Sequence, residues 1–170
     1  HFGLQERDVY RVNGPVNLNR LSALCGIVER PKLKYTPFVS STEPGLGASG
    51  DIFSVLRQRS VLLHHPYESF SPVVNLLRQA AADRDVLAIK ITLYRTGSDS
   101  PLVQALIDAA RRGTEVTAVV ELRARFDEAA NIDLATRLQA VGANVVYGVV
   151  GYKAHAKMLM VVRREGRELK

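Results

Sequence analysis

Four short apolar runs constrain this chain more than any other feature: VLAIKITLY (86–94), EVTAVVEL (115–122), NVVYGVV (144–150) and KMLMVV (157–162). Each is too short to be a buried helix, and valine and isoleucine dominate them, which suits extended strands. They are nearly continuous rather than alternating, the pattern of strands covered on both faces. Helix signals lie between them. Ser71-Pro72 and Ser100-Pro101 each set a serine N-cap before a proline at the first helical position. Arg111-Arg112-Gly113 and Ala140-Val141-Gly142 read as helix ends, the first with cations that complement the dipole of a last turn. Helices are therefore expected near 72–82, 101–112 and 128–141. Strand, helix, strand, helix, strand predicts an α/β fold, with a mostly parallel or mixed sheet flanked by helices.

The N-terminal part reads differently. VNGPVNL, ERPKLKYTPF and SSTEPGLGASG mix short apolar pieces with prolines and glycines. Residues 1–45 are expected to be the tail of a preceding domain plus a linker, and residues 46–170 a regular domain that is cut short. Gly45, Gly47 and Gly50 match G-x-G-x-x-G, but no strand-like run precedes them, so a flexible connector is the better reading than a dinucleotide fingerprint. The chain starts at His1 without a methionine and stops at Lys170 in charged sequence just after a strand-like run. A piece of a longer polypeptide is expected.

At 170 residues and 46% hydrophobic, the chain has enough apolar material for one core. Cys25 is the only cysteine, which rules out an internal disulfide and a cysteine-built metal site. No apolar run is long enough to span a bilayer and no signal-peptide pattern opens the chain, so a cytoplasmic location is expected. The formal charge of +6 favours anionic partners without choosing among them.

In open α/β sheets, ligands gather at the C-terminal ends of the strands. Here the first run closes on Tyr94-Arg95-Thr96-Gly97 and the second on ELRARFDE (121–128). Two arginine-bearing loops are thus expected to flank one crevice. The third feature is GYKAHAKMLM (151–160): in an extended strand Lys153, His155 and Lys157 line up on one face. Burying such a face would cost several kcal/mol unless it were paired or wet, so it is expected to look into a cleft filled by solvent or anions. Spacing alone leaves open an edge strand with solvated lysines and an ordinary surface histidine.

H-x-K followed by an aliphatic strand, after a βαβα unit, resembles the first half-site of the phospholipase D superfamily. Within it, GDIFSVLRQRSVLLHHPYESF, DVLAIKITLYRTG, ELRARFDEAANI and VVYGVVGYKAHAKMLMVVRREG are similar to polyphosphate kinases of the histidine-phosphorylating type. The likeness runs from DVYRVNGPVNLNRL to the end of the chain. Phospholipases and nucleases extend the motif to H-x-K-x-x-x-x-D, whereas the aspartate position counted from His155 holds Val162. The kinase branch also lacks that aspartate.

The resemblance implies an incomplete phospholipase-D-like catalytic domain. Its implied reaction is reversible transfer of the terminal phosphate of ATP to inorganic polyphosphate, through a phosphohistidine at His155. Lys157 would hold phosphoryl oxygens as a point charge. Arg95 and Arg125 match positions that the family associates with a magnesium-phosphate site, with Mg2+ as the implied cofactor. A guanidinium has no lone pair to give a metal, so these arginines are expected to grip phosphates that the ion also touches. ATP, ADP and polyphosphate are the implied partners and nucleic acid is not, and the full-length protein is expected to be a homo-oligomer and nearly inactive in fragment form. The alternatives are a phosphodiesterase or nuclease using the same histidine, and a non-catalytic polyanion-binding module. No P-loop pattern occurs. His64-His65 is read as a structural or positioning landmark, and Asp127-Glu128 as acids that favour a helix N-terminus.

Overall fold

The run that begins at Val86 becomes the central strand of a five-stranded sheet. A computed structural model of the chain describes residues 2–47, 50–97, 100–122, 124 and 127–170. The chain divides into two units, His1–Phe38 and Val39–Lys170. In the first, short turns at Glu6–Asp8, Leu18–Ala23 and Pro31–Leu33 and one helical turn, α1 (Leu24–Ile27), are held by local hydrogen bonds, and every described residue is exposed.

The second unit holds α2 (Ile52–Gln58), α3 (Ser71–Ala82), β1 (Val86–Leu93), α4 (Pro101–Arg111), β2 (Glu115–Val120), α5 (Glu128–Ala140), β3 (Asn144–Tyr147), β4 (Leu159–Glu165) and β5 (Glu168–Leu169). The sheet order is β3-β2-β1-β4-β5. β1, β2 and β3 are parallel, while β4 runs antiparallel to β1, with Lys90 opposite Met160 and Ile91 opposite Leu159. The fold is α/β with a mixed sheet, as the alternating runs predict.

The connections through α4 and α5 each return to a parallel neighbour, and such crossovers are right-handed, which puts both helices on one face. α3 packs beside α4. Leu77, Ile89, Val103, Leu106, Val116, Val120 and Leu138 form the fully buried centre between that layer and the sheet. In α5 the buried positions Asn131, Leu134, Ala135 and Leu138 follow the one-face spacing of a helix. The other sheet face differs from the sequence expectation. In β2, Val116, Ala118 and Val120 are buried while Thr117 and Val119 are half-exposed, and Lys90 and Met160 on neighbouring strands are exposed. The strands are therefore not sealed on both sides by this chain; β-branched residues on the open face supply strand propensity rather than core.

Two cap details also depart from expectation. α3 starts at Ser71 itself, and the Ser69 hydroxyl accepts the Ser71 N–H (3.1 Å). Ser100 is the N-cap of α4 but makes no side-chain cap bond. The two helix ends behave as read: Gly113 and Gly142, at φ +90° and +85°, adopt the left-handed conformation that stops each helix. The glycine-rich segment before α2 is not a loose connector in its described residues. Leu46 is 2% exposed, Gln79 donates to the Gly50 carbonyl (2.6 Å) and accepts from Ile52 N–H (3.1 Å), and Asp51 caps α2 through Ser54 N–H (3.1 Å). Among the described residues no helix is long and apolar enough to cross a membrane.

Arg163 on β4 ties the sheet to the turn that enters β1. Its Nε donates to Asp83 (2.8 Å) and its Nη1 to Glu165 (3.0 Å), while its guanidinium lies 5.3 Å from the Phe53 ring centroid. Burial opposes the charge on Asp83. The Arg163 hydrogen bond, the Asp85 N–H and the Arg163 charge together outweigh it and hold this carboxyl below its ordinary value of 3.8. A carboxyl depressed in the folded state stabilises the fold above its unfolded pKa, and that contribution is lost as pH falls through the folded one. Asp83→Asn is predicted to lower stability to urea by about 1–3 kcal/mol at pH 7, a difference that shrinks below about pH 4. An equal loss at pH 7 and pH 3 would contradict this role. Ile89→Ala, at a position 0% exposed, is expected to cost about 2–5 kcal/mol in the same measurement.

Candidate active site

Because β4 runs against β1, the residues that precede it arrive where β1 ends. There Tyr94 and Arg95 leave the sheet, and Glu121 follows β2 immediately alongside, its N–H bonded to the Leu93 carbonyl (3.0 Å). Asn131 of α5, 3% exposed, donates to both the Tyr94 and the Glu121 carbonyls (2.9 Å each) and so joins the two strand ends.

The segment that carries the histidine is not a strand. β3 stops at Tyr147 and β4 begins at Leu159, and His155 N–H turns back to the Lys153 carbonyl (3.0 Å), a γ-turn centred on Ala154. That turn breaks the two-residue alternation that would have aligned Lys153, His155 and Lys157. What gathers His155 and Lys157 instead is Tyr94. The His155 ring meets its edge with centroids 5.0 Å apart and planes at 79°, Lys157 Nζ lies 4.4 Å from its centroid, and the Arg95 guanidinium 5.3 Å. Lys157 Nζ also donates to the His155 carbonyl (2.6 Å). His155, Lys153 and Lys157 are all exposed, so the imidazole faces solvent and not aliphatic packing.

Three of the site residues read from sequence therefore come together: His155, Lys157 and Arg95. Arg125 lies outside the described residues. Arg95 does not stand by itself, since its Nε donates to Asp127 (2.6 Å). Asp127 thus engages an arginine from the neighbouring strand end, a role that its position before α5 did not predict. The pair is exposed, with side chains 52% and 41% accessible, so it orients more than it stabilises. His64 and His65 stand within a tight turn. His64 N–H donates to the Glu68 carboxylate (2.5 Å), the His65 ring contacts the Glu68 carbonyl through Nδ1 (2.9 Å), and their rings pack on Tyr67 and Phe70.

The donor chemistry bears on magnesium. Guanidinium groups cannot ligate it, Asp127 is committed to Arg95, and among the described residues no group of three or more His, Cys, Asp or Glu could hold a metal. These residues fit a phosphate chain, not a protein-built cage for the ion. A cavity of about 470 Å3 exists on the helix side of β4, lined by Phe53, Leu56, Leu76, Leu159 and Val161 together with the charged Arg57, Arg163, Glu165 and Lys170. The residues around Tyr94 do not line it, and Glu165 is bonded to both Arg57 and Arg163 there.

Sequence reasoning placed Tyr94 and Glu121 at the strand ends without giving them a part in the site, and missed Asn131 and Thr92. Thr92 donates through Oγ1 to the Ala156 carbonyl (2.6 Å) and accepts from Met158 N–H (2.8 Å), while Glu121 Oε2 accepts from Ala154 N–H (2.8 Å). For Thr92, Tyr94 and Glu121 the available signal was a polar residue inside, or directly after, an apolar strand; Asn131, within α5, gave none of that kind.

The family model described as polyphosphate kinase C-terminal domain 1 matches residues 51–170. The chain is 63% identical over 170 residues to a polyphosphate kinase of Xylella fastidiosa (strain 9a5c), with 100% of this chain and 24% of that protein covered. It is 56% identical over 168 residues to one from Pseudomonas putida, with 99% and 23% covered. The crystal structure of polyphosphate kinase from Porphyromonas gingivalis matches with a TM-score of 0.68 and 33% identity, over 82% of this chain and 23% of that one. The chain thus spans about a quarter of the length of the curated relatives it matches. On the family model and this identity, the chain belongs to the polyphosphate kinase family.

Proposed function

We propose that this chain supplies the nucleophile half of an ATP:polyphosphate phosphotransferase, with His155 as the residue that becomes phosphorylated. The observation that carries the reading is the meeting of an exposed imidazole, an ammonium and a guanidinium around one tyrosine ring at the C-terminal edge of the sheet. A nitrogen lone pair of an uncharged imidazole attacks the terminal phosphorus of ATP. An N–P bond forms, the P–O bond to the leaving ADP breaks, and the electron pair departs on ADP. The terminal oxygen of polyphosphate then displaces the imidazole, forming a new P–O–P linkage and restoring the ring.

Phosphoryl transfer asks little covalent help beyond this, so charge and position do most of the remaining work. Lys157 and Arg95 would hold the oxygens of the moving group. Asp127, bound to the Arg95 Nε, fixes the plane of that guanidinium. Magnesium would arrive on the phosphates of ATP, where its charge neutralisation is supplied. The kinase reading is favoured over the phosphodiesterase one by Val162, which occupies the position of the superfamily aspartate and pairs with Ala88 within the sheet.

In the full-length enzyme, His155→Ala is predicted to abolish acid-labile radiolabel from γ-labelled ATP, and label persisting at another residue removes His155 from the role. Lys157→Met is expected to slow phosphoenzyme formation about 100-fold, the size seen when one donor to a developing charge is lost. Cleavage of single-stranded nucleic acid, with no label taken up from γ-labelled ATP, would favour the phosphodiesterase reading. Salt-sensitive polyanion binding that survives His155→Ala, again without phosphoenzyme, would favour a binding module.

A further inference from the structure

The segment from Lys153 to Met158 carries the nucleophile but belongs to no strand, and its one backbone bond to β1 is at its end, where the Met158 carbonyl accepts the Thr92 N–H (3.0 Å). Around His155, side chains hold the backbone. From one side, the Glu121 carboxylate takes the Ala154 N–H (2.8 Å). From the other, the Thr92 hydroxyl bonds both the Ala156 carbonyl (2.6 Å) and the Met158 N–H (2.8 Å). His155 sits between these two clamps.

Glu121 is also unusual in its place. It is 3% exposed, at the edge of a basic site, and a buried carboxylate is costly unless hydrogen-bonded. Its own backbone is pinned on both sides, through its N–H to Leu93 and its carbonyl to Asn131, and the same Asn131 amide pins Tyr94, on whose ring His155 rests. One polar cluster therefore fixes both the backbone under the histidine and the ring beside it.

We propose that Glu121 is a positioning residue for phosphoryl transfer, holding the Ala154 amide so that the His155 ring stands where the terminal phosphate arrives, with Thr92 as the second clamp. The proposal rests on His155 being the phosphorylated residue. A nucleophile displaced by about 1 Å loses on the order of 100-fold in rate without a comparable loss of substrate binding.

The test uses the full-length enzyme, rapid-quench measurement of phosphoenzyme formation from γ-labelled ATP, and steady-state kinetics. Glu121→Ala is expected to slow labelling about 100-fold while KM for ATP moves less than about threefold, and Glu121→Gln, whose amide oxygen still accepts the Ala154 N–H, to recover to within about fivefold of wild type. Thr92→Val, nearly isosteric but without the hydroxyl, is expected to slow labelling about tenfold, with Thr92→Ser restoring it. Should Glu121→Ala not fold, Glu121→Gln and the Thr92 pair decide alone: labelling unaffected by Thr92→Val overturns the proposal. So does a folded Glu121→Ala enzyme that labels at the wild-type rate, or one in which only KM rises. Running His155→Ala in the same assay separates the two claims, because label surviving there removes the histidine reading itself, whatever the Glu121 variants do.

Discussion

The antiparallel pairing of β4 with β1 is the constraint on which the site depends. β1 is eight residues long, which at about 3.3 Å per residue spans about 26 Å. Had β4 entered in the parallel sense, the segment before it would have emerged at the opposite edge of the sheet, that far from Tyr94, Arg95 and the end of β2. Reversal of a single strand brings His155 and Lys157 to the edge where both crossover loops already deliver their polar residues. The hydrophobic pattern fixes the register of that pairing: Leu159 and Val161 pack toward the buried cluster, and a slip by one residue would send Met160 and Val162 there instead.

Much of this fold is legible because proline and glycine punctuate it. Pro72 and Pro101 mark two helix starts and Gly113 and Gly142 two helix ends, each through a backbone angle that only such residues take easily. The direction of β4 is less visible, since the apolar content of a strand says nothing about which way it runs. A clue did exist in loop length. Only residues 148–158 separate β3 from β4, with no helix among them to carry the chain back to the opposite end of the sheet, as entry of β4 in the parallel sense would require.

The site was legible in its types and not in its arrangement. His155, Lys157 and Arg95 stand out as chemistry-bearing residues at strand ends, and they do converge. Their convergence is not strand alternation, because the γ-turn at Ala154 interrupts it. The residues that place them, Thr92, Glu121 and Asn131, act through backbone carbonyls and amides of distant segments. No spacing rule reports contacts of that kind. Likewise, Asp127 fits a helix N-terminus on sequence grounds, yet its carboxylate is taken by Arg95, a partner 32 residues away.

The most direct test of the account is a crystal structure of the full-length enzyme with a non-hydrolysable ATP analogue. The account predicts a ring nitrogen of His155 within about 3.5 Å of the terminal phosphorus and in line with the bridging oxygen, with Lys157 and Arg95 on the phosphate oxygens. A terminal phosphate seated elsewhere, with the His155 ring turned away toward solvent, would contradict it.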